Sequence, residues 1–213
     1  FVFALGISFA IPPLVSEAHT QKNDTEISRI FRHGFVINLV VGFLLMLIIF
    51  AGSPLLYHMD QPEKIIPDTI SFLHIMAISI LPFVIFQTLR ELSEGLSYTI
   101  GVTKATILAN ILNVILNYVF IKGLFGIPPM GVKGSALATL ISRIFMMIFL
   151  FFVLKKHPEI SKYMHAFSLK INNFSKELFR KMIKLGIPTA LQMFFEVTAF
   201  SAAALICGLI SAN

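Results

Sequence analysis

Runs of about 18 to 22 predominantly apolar residues recur along this chain, each long enough to cross ~30 Å of hydrocarbon as a helix. Lipid offers the backbone no hydrogen-bond partners, so a spanning segment must be a helix or belong to a closed barrel. These runs are continuous and lack the alternation of barrel strands, which leaves an all-α architecture. Composition excludes a soluble domain: 56% of the 213 residues are hydrophobic and 13% charged, with a mean hydropathy of +0.84, against roughly 25% charged in soluble proteins. The expected fold is a polytopic membrane helix bundle of about six transmembrane helices, a multi-pass protein of the cell (inner) membrane.

The runs are separated by polar punctuation. The first, Phe1 to Val15, ends in Pro12-Pro13 and a polar stretch from Glu17 to Arg32 in which Asn23-Asp24 reads as a turn or cap. Phe1 lies inside an apolar stretch, which reads as a truncated start and not as a signal peptide. The second run, Phe35 to Leu56, meets a short loop at Tyr57 to Pro62. The third, Thr69 to Leu89, holds Pro82 at mid-depth, where a kink is expected. The fourth runs from Ala105 to Ile121, and a turn-rich loop from Gly123 to Gly134 leads to the fifth, Ser135 to Leu154. The sixth begins near Gly186 and ends near Leu209. Residues 1–156 thus form one membrane unit, 157–185 a linker and 186–213 a further span.

The chain carries a formal charge of +6 and a pI of about 9.6. The basic residues lie in loops, as topology charges do, so no nucleic-acid partner follows. If consecutive helices alternate, every Lys and Arg except Lys64, Lys122, Lys133 and the intramembrane Arg143 falls on one side, which is expected to be cytoplasmic. Within the linker, Phe174, Leu178, Phe179, Met182 and Ile183 recur at helical spacing among Lys176, Arg180, Lys181 and Lys184. This fits either a helix lying on the interface or a basic extension of the last span. The lone cysteine, Cys207, permits no intrachain disulfide.

Polar residues within the runs carry the functional information, because an ionisable group at mid-bilayer costs at least ~2.5 kcal/mol. Glu196, ten residues past Gly186, lies near the midplane, where a carboxylate can exchange a proton or bind a monovalent cation unless it forms a structural ion pair. Arg143 lies at similar depth, and pairing with Glu196 is one expectation. Asn110, Asn113 and Asn117 fall on one helical stripe, either as interhelical hydrogen bonds or as the lining of a cation or proton site, and Thr139 shares a face with Arg143. His74 reads as a satisfied structural residue. Glu91 and Glu94, beside Arg90, read as a solvated helix end and not a metal site. No H-E-x-x-H, G-x-S-x-G or P-loop is present, and no metal, cofactor or enzymatic chemistry is expected.

Several short motifs in order are similar to those of the multidrug and toxic compound extrusion (MATE) family, its NorM-like branch in particular. They are Arg90-Glu91-Leu92-Ser93-Glu94-Gly95-Leu96, Asn113-x-x-x-Asn117-Tyr118, the segment from Gly126 to Thr139 with its Pro128-Pro129, and Leu185-Gly186-Ile187-Pro188 followed by Gln192 and Phe194-Phe195-Glu196. The resemblance covers nearly the whole chain and implies helices two to seven of a twelve-helix transporter, with 186–213 the first helix of its second half. It further implies cation or proton coupling through Asn113, Asn117 and Thr139 in one half and Glu196 in the other, with Asn110, Arg143 and Gln192 lining the cavity. Asn117 stands where some members carry aspartate. The implied activity is secondary-active export of amphipathic or cationic drugs and toxins in exchange for Na⁺ or H⁺, by a protein monomeric when full length; this fragment should not transport by itself. The alternative is a lipid-linked oligosaccharide flippase of the same superfamily, and a membrane-embedded enzyme is less favoured.

Overall fold

The computed structural model describes residues 8–58, 65–164 and 175–211, with side chains described to residue 203 except at His58. The described residues are helical apart from turns and short loops. In chain order the helices are α1 (Ile11–Thr20), α2 (Asp24–Gly52), α3 (Ile66–Gly95), α4 (Ile100–Lys122), α5 (Gly131–Lys156), α6 (Ser161–Met164) and α7 (Lys176–Ser211), with a 3-10 turn at Ser53–His58. Among the described residues four stretches are long and apolar enough to cross a bilayer: Asp24–Tyr57, Ile66–Gly95, Ile100–Lys122 and Gly131–Lys156. The loop expected at Tyr57 to Pro62 lies largely outside the described residues, as do Phe174 and the side chain of Cys207.

The helices begin and end beyond the apolar runs, because helical hydrogen bonding continues where the polar flanks are still good helix formers. The stretch from Glu17 to Arg32 is therefore a corner and not a loop. Pro12 and Pro13 open α1, as proline can in a first turn that lacks intrahelical acceptors. At the corner, Lys22 adopts a positive φ, and Asn23 caps α2 by accepting from the Glu26 backbone at 3.1 Å. At the other end of the bundle, Gly123 (φ +73°) ends α4 in the left-handed region, and the Met130 amide returns to the Phe120 carbonyl at 2.9 Å. α3 stays helical through Pro82 and α7 through Pro188. Because α7 starts at Lys176, the basic amphipathic segment is an extension of the last apolar run, and Gly186 lies inside a helix.

Ion pairs show which ends lie together. Asp24 at the start of α2 bonds Lys162 Nζ at 2.7 Å and accepts from the Tyr163 hydroxyl at 2.5 Å, while Lys181 meets Glu17 at 3.4 Å. Burial, with Asp24 alongside, pushes the Tyr163 hydroxyl up, so it stays a donor. These contacts gather the α1–α2 corner, α6 and the start of α7 at one end. Lys133 and Asp68 pair at 3.0 Å at the opposite end. Helices therefore alternate, and the loops richest in Lys and Arg share one end.

Between α2 and α3 a buried polar chain crosses the interior. Ser8 Oγ donates to Asn38 Oδ1 at 2.8 Å, and Asn38 Nδ2 donates to Thr88 Oγ1 at 2.8 Å and more weakly to Glu91 Oε2 at 3.5 Å. Gln87 Nε2 donates to Glu91 Oε1 at 3.1 Å. Glu91 is fully buried, which corrects the expectation of a solvated carboxylate pair; only Glu94, held by Arg90 at 2.6 Å, is part-exposed. α1 produces the difference by covering the end of α3: a Cβ on Gly95 would stand 2.7 Å from Val15 Cβ. His74 is held by Ser53 Oγ at 2.9 Å and stacked on Phe50, as a structural residue would be.

α4 and α5 pack closely where Gly134 meets the α4 backbone, and a Cβ there would lie 2.9 Å from the carbonyl carbon and oxygen of Phe120. Gly134→Ala is expected to cost about 1–3 kcal/mol by overpacking. Gly52→Ala, in open space, should stay within ~0.5 kcal/mol. Thermal unfolding of the detergent-solubilised full-length protein reads both, and equal midpoints for the two variants would refute the close contact. Glu91→Ala strands two buried amides and should cost about 1–3 kcal/mol, with Glu91→Gln milder. Adding Asn38→Ala to Glu91→Ala should cost less than the two single losses summed, since the groups share one network; strict additivity would show that they do not.

Candidate functional site

The amide stripe of α4 and the polar face of α5 lie on two helices that pack against each other, with Gly134 of α5 against Phe120 of α4. Both face α3 across a cavity of about 310 Å³ lined by Phe83, Phe86, Gln87, Arg90, Thr106, Ala109, Asn110, Asn113, Thr139, Ser142, Arg143 and Met146. Four residues expected at the site, Asn110, Asn113, Thr139 and Arg143, thus meet in one place.

Their hydrogen bonds define what the cavity offers. Asn117 donates to Asn113 Oδ1 at 3.0 Å and to the Asn113 carbonyl at 2.9 Å, so it braces Asn113 from one turn below without lining the cavity. Thr139 returns its hydroxyl to the Ser135 carbonyl at 3.0 Å, which leaves the oxygen able to accept or ligate. Arg143 Nη1 donates to Ser79 Oγ on α3 at 2.6 Å, and its guanidinium lies 5.0 Å from the Phe83 ring centroid. The Ser142 hydroxyl is buried and has no hydrogen-bond partner among the described residues.

Two expected residues stand elsewhere. Gln192 and Glu196 are on α7, exposed, and neither lines the cavity. α7 packs against α2, and Arg143 bonds Ser79 on α3. Similar depth along two helices does not place their side chains on facing sides.

Other polar residues carry structural weight that sequence reasoning did not assign. Asn38, Gln87, Thr88, Ser79 and Ser142 are buried polar residues within apolar runs, and that placement is the signal the sequence gives of them. His33 is likewise buried on α2. Its Nδ1 lies 2.7 Å from the Arg29 carbonyl, and its Nε2 accepts from the Ser175 amide at 2.9 Å, so the proton sits on Nδ1 and the ring docks the start of α7. No His/Cys/Asp/Glu group among the described residues could hold a metal ion.

Known proteins resemble this chain in sequence and in fold. The MatE family model matches residues 1–119. The multidrug resistance protein NorM of Photobacterium profundum is 31% identical over 96% of this chain and 44% of its own length. The NorM of Vibrio cholerae serotype O1 is 27% identical over the same shares, and the multidrug resistance protein MdtK of Yersinia pestis (strain Pestoides F) is 28% identical over 96% and 45%. The chain therefore spans less than half the length of these relatives. The inward-facing conformation of a multidrug resistance MATE family transporter of the MOP superfamily overlays with a TM-score of 0.77 at 18% identity, covering 90% of this chain and 42% of that one. The crystal structure of MATE in the bent conformation does so with 0.77 over 93% and 43%. At that identity the overlays show the fold, and they fit an integral, multi-pass membrane protein. With more than half of its residues matched by the family model, this non-enzymatic membrane chain belongs to the MatE family of multidrug and toxic compound extrusion transporters.

Proposed function

We propose that the full-length protein is a secondary-active antiporter that exports amphipathic, often cationic compounds in exchange for Na⁺ or H⁺ by alternating access. The observation that carries this reading is the convergence of Asn110, Asn113, Thr139 and Arg143 on one cavity between α3, α4 and α5. Amide and hydroxyl oxygens are hard ligands suited to a desolvated monovalent cation, and polar sites at mid-membrane between helices are the general arrangement of ion-coupled transporters. The relatives named above are multidrug resistance proteins, which supports small-molecule substrates; none of them favours the flippase alternative.

In this reading Asn113 and Thr139 supply oxygens to the coupling ion, and Asn117 orients the Asn113 amide. Glu196, exposed on a membrane helix, acts in a second site on the α7 side of the protein, near Gln192. The carboxylate exchanges a proton or pairs with the ion there. The transporter works as a monomer.

Ethidium and norfloxacin efflux by the full-length protein, driven in turn by Na⁺ and H⁺ gradients, tests this reading. Asn113→Ala and Glu196→Gln are each expected to lower efflux by about tenfold, ~1.4 kcal/mol, under the coupling gradient. Asn117→Ala should cost less, since it acts through Asn113. Unchanged efflux in Glu196→Gln would remove that carboxylate from the mechanism, and indifference to both gradients would remove the antiport.

A further inference from the structure

Glu91 is a fully buried carboxyl group that the antiport reading does not use. It stands four residues before the end of α3, about 6 Å along the helix from the end of the bundle that is richest in Lys and Arg. Its hydrogen-bond partners are neutral amides: Oε1 accepts from Gln87 Nε2 at 3.1 Å, and Oε2 receives Asn38 Nδ2 at a long 3.5 Å. The charges that act on it most strongly are Arg90 and Glu94, which are of opposite sign and pair with each other at 2.6 Å. The helices packed around this end also carry Glu17 and His19 on α1, Arg32 and His33 on α2 and Lys181 on α7, and none of these bonds Glu91.

A carboxylate offers about four lone-pair sites, and a buried one is tolerated where a cation or several donors answer it. Here one sound hydrogen bond and one long one do so. A neutral acid suits the same place better. Its carbonyl oxygen keeps the Gln87 bond, and its hydroxyl needs an acceptor where Asn38 presents Nδ2. Turning the Asn38 amide over supplies one: Oδ1 then faces Glu91, and Nδ2 faces Ser8 Oγ, which lies 2.8 Å from the amide and can accept as well as donate. Thr88 Oγ1, 2.8 Å from Asn38 Nδ2 and 2.9 Å from the Val84 carbonyl, can likewise accept from the amide in one orientation and donate to it in the other. The network thus has a complete hydrogen-bond pattern for the acid as well as for its anion, with the same residues in the same places.

We propose that Glu91 is a proton-binding site on the α2 side of α3: it is a neutral acid while α2 packs on α3, and its Oε2–H bond breaks, the proton passing to water at the Lys- and Arg-rich end, only as that packing loosens. The site is distinct from the amide cavity and does not rest on the antiport reading. By linkage, the packed arrangement binds one proton more than the loosened one, so acid favours it and its stability falls as pH rises. A salt-bridged surface carboxylate has the opposite sign.

Infrared difference spectra of the purified full-length protein in lipid, recorded between about pH 5 and about pH 9, test the proposal. Wild type minus Glu91→Gln is expected to show the carbonyl stretch of one protonated carboxyl at neutral pH, moving in heavy water; a carboxylate band in its place overturns the proposal. Asn38→Ala keeps the acid but removes its partner, so it should shift that band without abolishing it, and it covers the case in which Glu91→Gln does not fold. No protonated-carboxyl band that responds to either variant is the contrary result. Thermal midpoints give a second reading. The wild-type midpoint should fall with rising pH more steeply than that of Glu91→Gln, which has no proton to lose there, and parallel profiles would count against the site. Neither measurement uses a drug or an ion gradient, so failure of the antiport reading leaves both outcomes legible.

Discussion

A polar side chain within a membrane helix must find its partner in the protein, and in this chain the partners converge on α3. From one face α3 offers Thr88 and Glu91 to Asn38 of α2; from another it offers Ser79 to Arg143 of α5. Gln87 belongs to both neighbourhoods, bonding Glu91 on the buried side while lining the cavity on the other. Lipid competes for none of these bonds, and apolar helices alone have no strong preference for one another over lipid tails, so such contacts set which helix meets which. α2 and the residue Ser8 ahead of α1 are held to α3 by the Ser8–Asn38–Glu91 chain, and α5 is held to it by Arg143. α4, which presents mostly apolar side chains to the outside, is carried by its close glycine contact with α5.

This dependence explains which features could be read from the sequence. Helix order and alternation followed from the length of the apolar runs and the placement of Lys and Arg, because both are set by the bilayer and not by side-chain packing. Helix ends were less legible. Hydrophobicity stops at the edge of the hydrocarbon, whereas the backbone keeps its hydrogen bonds until a cap or a left-handed residue intervenes, as at Asn23 and Gly123. α3 therefore outruns its apolar run at both ends, and α7 takes in the basic segment before Gly186.

Azimuth was the least legible property. Glu91 stands between Arg90 and Glu94 in sequence and looks solvated with them, yet it points along the Gln87–Thr88 face, which α1 and α2 cover. Arg143 and Glu196 share a depth but not a direction, since nothing in either helix's own pattern records that α5 turns Arg143 toward α3 while α7 sits against α2. The Asn110, Asn113 and Asn117 stripe was the exception. Three amides at helical spacing define a face by themselves, and that face does border the cavity, with Asn117 turned back onto Asn113.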